Sequence, residues 1–232
     1  MPEISLVIPA FNEAQTIEAL LGRVAALGLD AEMIVVDDGS TDDTVAILER
    51  LDGDMPGLRV MRLPRNLGKG AAVREGIAAS KGEIVLIQDA DLEYDPADIP
   101  RLIGPLQDGR ADVVYGTRLR GGPEPQRAHM FWHYAGNRML SLLTNVLFNT
   151  TISDMEVGYK AFRGDLVRSI RLVSNDFAFE PEITAKVLRR GVRLYEVPIA
   201  YYGRTYEEGK KITWRDGIKA IAALARFRFS RI

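Results

Sequence analysis

Three short acidic segments hold the side chains best suited to chemistry. Each one follows an apolar run of the kind that forms a buried strand. Their members are Glu13, then Asp37 and Asp38, then Asp89, Asp91 and Glu93. In open α/β sheets, ligands bind outside the carboxyl ends of the strands, so we expect these carboxylates to converge there. Uncompensated carboxylates repel one another, and a divalent cation or the hydroxyl groups of a sugar or ribose would relieve that repulsion.

The third segment, D-A-D-L-E at residues 89–93, has the spacing of a cation site. Alternate residues of an extended chain lie on one side, which would bring its three carboxylates together. Oxygen ligands without nitrogen or sulfur favour Mg²⁺ or Mn²⁺. The alternative is that this segment caps the helix that follows, as Asp95 and Pro96 suggest. Because the segment ends a buried strand, we predict a metal site formed by Asp89, Asp91 and Glu93.

Two further segments each allow two interpretations. In D-D-G-S-T-D at residues 37–42, Asp38 would contact a nucleotide, whereas Thr41 or Asp42 would simply cap a helix. In R-N-L-G-K-G at residues 65–70, backbone N–H groups would hold a phosphate, or the glycines would allow close packing. The spacing matches neither a P-loop nor a dinucleotide-binding glycine motif.

The elements that position these residues follow from the alternation of apolar runs with helical patterns. We predict strands over residues 4–9, 33–36, 58–63, 83–88 and 112–116, and helices over 13–27, 42–51, 69–81 and 98–107. The strands are continuous apolar runs, typical of a mostly parallel sheet covered on both faces. The fold class is therefore α/β, a doubly wound sheet.

The pattern changes after residue 120. We predict a loop at 121–125, an apolar helix at 129–148, a polar stretch at 153–163, a helix at 181–190, a strand at 193–202 and a helix at 214–229. No repeat or low-complexity segment interrupts the chain. We predict one domain over residues 1–232, the second half elaborating the first.

Composition excludes several classes of function. The 232 residues include no cysteine and two histidines, so disulfide scaffolds, thiolate metal sites and histidine-rich metal sites are excluded. The net charge of −2 gives no reason to expect a nucleic-acid partner. With no apolar run of about 20 residues and no signal-peptide pattern, the expectation is a soluble, cytoplasmic chain.

The last predicted helix mixes aromatic and basic residues. Such a helix lies on an anionic membrane surface, packs into the core, or forms an oligomer interface. We expect a chain that is peripheral on the cytoplasmic membrane face or held there by a membrane-protein partner.

Taken in order, the motifs resemble the family 2 glycosyltransferases, and within them the branch that includes dolichol-phosphate mannose synthase and polyprenyl-phosphate glycosyltransferases. They are P-A-F-N-E at residues 9–13, V-D-D-G-S-T-D at 36–42, N-L-G-K-G at 66–70 and Q-D-A-D at 88–91. The resemblance implies a GT-A fold, with a nucleotide-sugar-binding half over 1–118 and an acceptor-side half over 119–232. It also implies inverting transfer of a hexose from a UDP- or GDP-sugar.

The resemblance assigns roles to individual residues. The base and ribose would be held by Pro9, Phe11, Glu13, Val36 and Asp38. The donor would meet Asp89, Ala90 and Asp91, with Asp91 and Glu93 on the cation; relatives often have Gln at the Glu93 position. Arg118, Arg204 and Lys210 match positions that contact the diphosphate or the acceptor phosphate, and Asp154 matches a position near the acceptor.

Chemical reasoning supports the cations independently. A leaving diphosphate develops negative charge, and positioned cations lower that barrier. The segment 204–211 carries Arg204, Lys210 and Lys211 between glycines, which predicts a mobile, positively charged lid; the alternative is a solvated loop.

The expected acceptor is a polyprenyl or dolichyl phosphate. The alternatives are a saccharide hydroxyl, which would need a general base such as Asp154, a sugar nucleotidyltransferase reaction, or a non-enzymatic membrane adaptor. A lipid monophosphate needs no base, because its second pKa is about 6.

Overall fold

The computed structural model describes residues 2–121, 131–203 and 214–230. Across these residues, seven strands form one sheet: β1 (Ile4–Ala10), β2 (Ala31–Asp37), β3 (Leu58–Arg62), β4 (Ile84–Ile87), β5 (Val113–Thr117), β6 (Lys160–Arg163) and β7 (Leu194–Pro198). Their order is β3-β2-β1-β4-β6-β5-β7. All neighbouring pairs are parallel except those that β6 makes with β4 and β5. The doubly wound, mostly parallel sheet is confirmed.

Helices connect and cover the strands. They are α1 (Ile17–Ala25), α2 (Thr44–Asp52), α3 (Lys69–Ala79), α4 (Ile99–Gln107), α5 (Phe131–Phe148), α6 (Gly164–Arg168), α7 (Phe179–Leu188) and α8 (Trp214–Phe229), with a 3₁₀ turn at Pro96–Asp98. The bounds of α8 match the prediction, whereas α1 begins at Ile17 and not at Glu13, because Glu13 and Thr16 form a turn before it.

The continuous apolar runs are buried on both faces of the sheet. In β2, Met33 and Val35 belong to the main core, whereas Ile34 and Val36 pack with Ala72 of α3 in a second cluster. Alternate side chains of a strand point to opposite faces, so a strand between two helical layers needs apolar residues at every position. This explains why its pattern is a run and not an alternation.

The polar stretch predicted at 153–163 is wrong at its end, where β6 pairs antiparallel between β4 and β5. Its first residue, Lys160, is fully buried and pairs with Glu180 of α7. A lysine at a core position conceals a strand from any apolar pattern. As a result, β6 carries the segment 153–158 to the carboxyl ends of β4 and β5.

Candidate functional site

The acidic segments meet at one edge of the sheet, because β2, β1 and β4 are neighbours. Groups of the protein itself already pair with some of these carboxylates. Asp37 accepts hydrogen bonds from the Ser40 N–H, at 3.2 Å to Oδ1 and 3.3 Å to Oδ2, and its Oδ2 lies 3.6 Å from Arg62 Nε. Protein donors therefore already compensate part of the negative charge.

Asp38 holds the glycine segment. Its oxygens accept from the backbone N–H groups of Leu67 at 2.7 Å and Gly68 at 2.8 Å. Gly68 has φ 101°, and a Cβ there would lie 2.4 Å from the Asn175 carbonyl oxygen. The close-packing interpretation of this segment is thus the one observed. Contact between Asp38 and a nucleotide stays a prediction, as does phosphate binding by this segment.

A cavity of about 720 Å³ opens beside these segments. Its lining comprises Phe11, Gly39, Ser40, Thr41, Arg62, Leu63, Pro64, Arg65 and Asn66. An aromatic ring beside guanidinium groups suits a planar, anionic ligand. The turn that presents Phe11 is fixed by Asn12, which has φ 56° and accepts the Thr41 N–H at 2.8 Å.

The other residues predicted to bind the donor are not among those that line this cavity. Pro9 and Val36 are register partners in β1 and β2. Glu13 is buried and accepts from the Thr16 hydroxyl at 3.0 Å. Ala90 is buried after β4. Their roles toward a ligand stay predictions.

The carboxylates of segment 89–93 have different partners. The chain turns here, with φ 58° at Leu92, so the premise that they share one side of an extended chain is wrong. Asp89 Oδ1 lies 2.7 Å from Lys69 Nζ, and Glu93 Oε2 accepts the Tyr201 hydroxyl at 2.9 Å. Across residues 2–121, 131–203 and 214–230, no three carboxylate or imidazole groups converge on a common metal position.

The donor set still fits a divalent cation shared with a substrate. Mg²⁺ is commonly held by one or two carboxylates together with substrate phosphates and waters. Asp91 is half-buried at the sheet edge, and its Oδ1 accepts the Glu93 N–H at 3.1 Å, which fixes the carboxylate's direction. Asp91 is therefore the predicted ligand that this geometry favours.

A row of alternating buried charges begins at Asp89. Lys69 Nζ lies between Asp89 and Glu180 Oε1, the latter at 3.2 Å, and Glu180 Oε2 also pairs with Lys160. Burial opposes the charged form of Lys69, but the two carboxylates outweigh it and raise its pKa. The sequence drew attention to Lys69 within its glycine segment but gave no signal for Glu180 or Lys160.

Arg118 and Asp154 form a buried, two-pronged ion pair. Arg118 Nε donates to Asp154 Oδ2 and Nη2 donates to Oδ1, both at 2.7 Å, and Asn137 Nδ2 adds a bond of 2.8 Å to Oδ1. Burial raises the pKa of Asp154, but Arg118 outweighs it, so the pKa is lowered overall. The guanidinium lies 5.1 Å from the ring centroid of Tyr201. Arg204 and Lys210 fall outside the described residues.

Comparison with known proteins agrees with this geometry. The family model for glycosyl transferase family 2 matches residues 5–171. The chain is 30% identical over 213 residues to dodecaprenyl-phosphate galacturonate synthase of Rhizobium johnstonii, covering 90% of this chain and 61% of that protein. It is 30% identical over 215 residues to undecaprenyl-phosphate mannosyltransferase of Micrococcus luteus, and the match covers 88% of this chain and 85% of that protein.

The fold is also shared with a solved enzyme. Glucosyl-3-phosphoglycerate synthase of Mycobacterium tuberculosis, crystallised with Mn²⁺, UDP and phosphoglyceric acid, superposes with a TM-score of 0.73 at 26% identity over 99% of this chain and 79% of that one. The sheet order, the acidic strand ends and the family match agree with one another. This chain belongs to glycosyl transferase family 2 and has its GT-A fold.

Proposed function

We propose that this chain transfers a hexose, with inversion, from a nucleoside-diphosphate sugar to a polyprenyl phosphate. The acceptor class named in both curated relatives supports this assignment. The bound UDP of the structural relative supports a nucleotide-sugar donor.

The observation that carries the proposal is the burial and hydrogen bonding of the Asp154 carboxylate. Its carboxylate is fully buried and accepts hydrogen bonds from Arg118 and Asn137, and its pKa is lowered. A general base works best with a pKa near the working pH, so Asp154 is poorly suited to deprotonate a sugar hydroxyl. A phosphate monoester is mostly dianionic at pH 7 and needs no base. Asp154 acts instead as a positioning residue for Arg118.

The proposed reaction assigns one task to each part of the site. The cavity beside Phe11 receives the nucleoside, and Arg118 faces the charge that develops on the leaving diphosphate. When bound at Asp91, Mg²⁺ or Mn²⁺ would neutralise part of that charge. A phosphate oxygen of the acceptor attacks the anomeric carbon as the bond to the diphosphate breaks, which inverts the configuration.

Access to a lipid acceptor is supported by the surface of α5 and α8. No helix among the described residues is both long and apolar enough to cross a membrane. On α5, Leu142 is 63% exposed and Val146 73%, and on α8, Ile218 is 57% exposed and Phe229 77%. Arg226 and Arg228 are exposed beside them. Apolar and basic residues together suit a surface bound to anionic lipid.

The test is single-turnover transfer from the preferred sugar nucleotide to a short-chain prenyl phosphate and, separately, to a free oligosaccharide. We expect transfer to the prenyl phosphate alone. Asp154→Asn should reduce the rate about tenfold or less and leave the shape of the pH–rate profile unchanged. Arg118→Ala should be severe, because it removes a cation from developing charge.

Transfer to the oligosaccharide alone, with an Asp154→Asn loss of about 10²–10⁴-fold, would overturn the lipid-phosphate acceptor. Melting curves control for folding, because removing one partner of a buried ion pair also lowers stability.

A further inference from the structure

Two buried acceptor oxygens lack any hydrogen-bond partner in the part of the chain that the structure describes, and both belong to side chains around the Arg118–Asp154 pair. They are Asn137 Oδ1 and Glu156 Oε1. A third oxygen without a hydrogen bond, Glu180 Oε1, differs from these two because it lies 3.2 Å from the Lys69 ammonium, with which it forms an ion pair. Buried polar atoms are normally paired, so these oxygens indicate an absent donor.

The direction of the Asn137 amide is fixed by its neighbour. The Asp154 carboxylate only accepts hydrogen bonds, so the Asn137 atom facing it at 2.8 Å must be the NH₂ group. The carbonyl oxygen of Asn137 is therefore turned away from Asp154. It needs a donor from elsewhere.

Glu156 stands midway along a segment that joins the two ends of the site. Asp154, two residues before it, binds Arg118. Gly158, two residues after it, lies so close to Asp89 that a Cβ there would be 2.3 Å from Asp89 Oδ2. Glu156 thus lies between the cation proposed to face the diphosphate and the first aspartate of the donor motif. A sugar attached to that diphosphate belongs in this interval.

The chemistry of the two oxygens selects among ligands. A carboxylate and an amide carbonyl both repel a phosphate but accept from hydroxyl groups. Burial raises the pKa of Glu156 to about 7, and the nearby Glu180 adds to the rise while Lys160 and Arg118 oppose it. A hydroxyl group that donates to this carboxylate would stabilise its charged form.

We propose that Glu156 and Asn137 accept hydrogen bonds from hydroxyl groups of the donor's hexose and so help to determine which sugar is transferred. This inference rests on the proposed function. A site that hydrogen-bonds a substrate hydroxyl discriminates strongly against analogues that lack it, because its own polar groups are then left unpaired.

The experiment separates the sugar from the nucleotide. Calorimetric titrations of the full chain with Mn²⁺ give the Kd of UDP, GDP, UDP-glucose, UDP-galactose and GDP-mannose. For Glu156→Gln, we expect the Kd of the preferred sugar nucleotide to rise between about tenfold and a hundredfold, while that of its nucleoside diphosphate stays within about twofold. Discrimination between glucose and galactose epimers should fall in parallel.

The matched control is Glu49→Gln, which removes an exposed carboxylate from α2 and should change neither constant. Glu156→Ala should repeat the Glu156→Gln result with a larger effect. Melting curves check that each variant is folded.

Three results for Glu156→Gln would overturn the inference while leaving the proposed function standing. The first two are an equal change in the Kd of the sugar nucleotide and of its nucleoside diphosphate, and no change in either Kd. The third is lost turnover with an unchanged ratio of these two Kd values, which would instead make Glu156 a base. A wild-type chain that binds no nucleoside diphosphate would overturn the proposed function as well.

Discussion

At the scale of single residues, the site shows how burial decides what a carboxylate does. A buried carboxylate must be paired or hydrogen-bonded, because an isolated charge is costly to remove from water. Asp38 meets this requirement with the Leu67 and Gly68 N–H groups, and Asp154 meets it with Arg118. Glu156 Oε1 has no hydrogen-bond partner among the described residues, and burial raises the pKa of Glu156 to about 7.

The half-buried carboxylate of Asp91 leads to a prediction about metal. Asp91→Asn should abolish turnover without unfolding the protein, because it removes charge but no core volume. We also expect loss of the Mn²⁺-dependent rise in melting temperature with a nucleoside diphosphate. Asp108→Asn, on the exposed surface after α4, is the control. Wild-type turnover that persists in excess EDTA would contradict the metal assignment.

Glu156 leads to a prediction about pH. Its pKa is raised from 4.5 to about 7 in the folded protein, so between these values the folded state binds a proton that the unfolded state has lost. Stability should therefore fall as pH rises through this window. The side chain of Glu156→Gln cannot titrate, so the variant should not lose this stability. The difference in free energy of unfolding, variant minus wild type, should therefore increase by about 2–3 kcal/mol from pH 4.5 to pH 8.

Urea unfolding at both pH values measures this difference. A gap that is constant with pH would contradict the assignment of the raised pKa to Glu156.

At the scale of elements, the start of α3 packs closely against the chain leading into α7. Gly68 approaches the Asn175 carbonyl, and a Cβ at Gly70 would lie 2.5 Å from the Ser174 carbonyl oxygen. The Ala71 N–H donates to the Asn175 carbonyl oxygen at 3.1 Å. Helix α3 lies in the predicted nucleotide-binding half and α7 in the predicted acceptor-side half, so these glycines allow close contact between the two predicted halves.

This packing predicts opposite effects for two glycines. Gly68→Ala should lower stability by about 1–3 kcal/mol, because it places a Cβ at positive φ and against a carbonyl. It should also weaken donor binding, since the Asp38-bound segment moves. Gly22→Ala, in α1 with nothing within 4 Å, should raise stability by about 0.5–1 kcal/mol. Chemical denaturation of both variants checks the signs, and equal effects would contradict the packing argument.

At the scale of the whole molecule, one sheet carries both halves of the site. The antiparallel strand β6 lies between β4, which ends in the Asp89 segment, and β5, which leads to Arg118. The charge row Asp89–Lys69–Glu180–Lys160 crosses the same boundary. The groups predicted to bind the donor and the acceptor are therefore connected through one sheet and one row of ion pairs.

The whole-molecule prediction concerns membrane contact. Val146→Ser with Ile218→Ser should reduce flotation of the chain with anionic vesicles severalfold, because both side chains are exposed and apolar. Tyr195→Ser, at an exposed aromatic residue of β7, is the matched control and should float like wild type. Unchanged flotation of the double variant would contradict a role for this surface.

The sequence alone was sufficient for the local features of this protein. The alternation of strand and helix patterns predicted six of the seven strands found in the described residues, and the basic, aromatic last segment was predicted as a helix with the bounds observed for α8, Trp214–Phe229. Strand order along the chain placed the acidic segments at one sheet edge, since parallel strands share the direction in which they end. These features depend on periodicity and connectivity, which a sequence contains.

Only the tertiary structure decided which charges are paired. Lys160 concealed β6 because its neutralising partner, Glu180, lies 20 residues away in α7. The bond of Asp154 to Arg118 spans 36 residues, and that of Asp38 to Leu67 spans 29. A pairing over such separations leaves no local pattern, because its energy depends on where the fold places two distant side chains and how much water it removes from them.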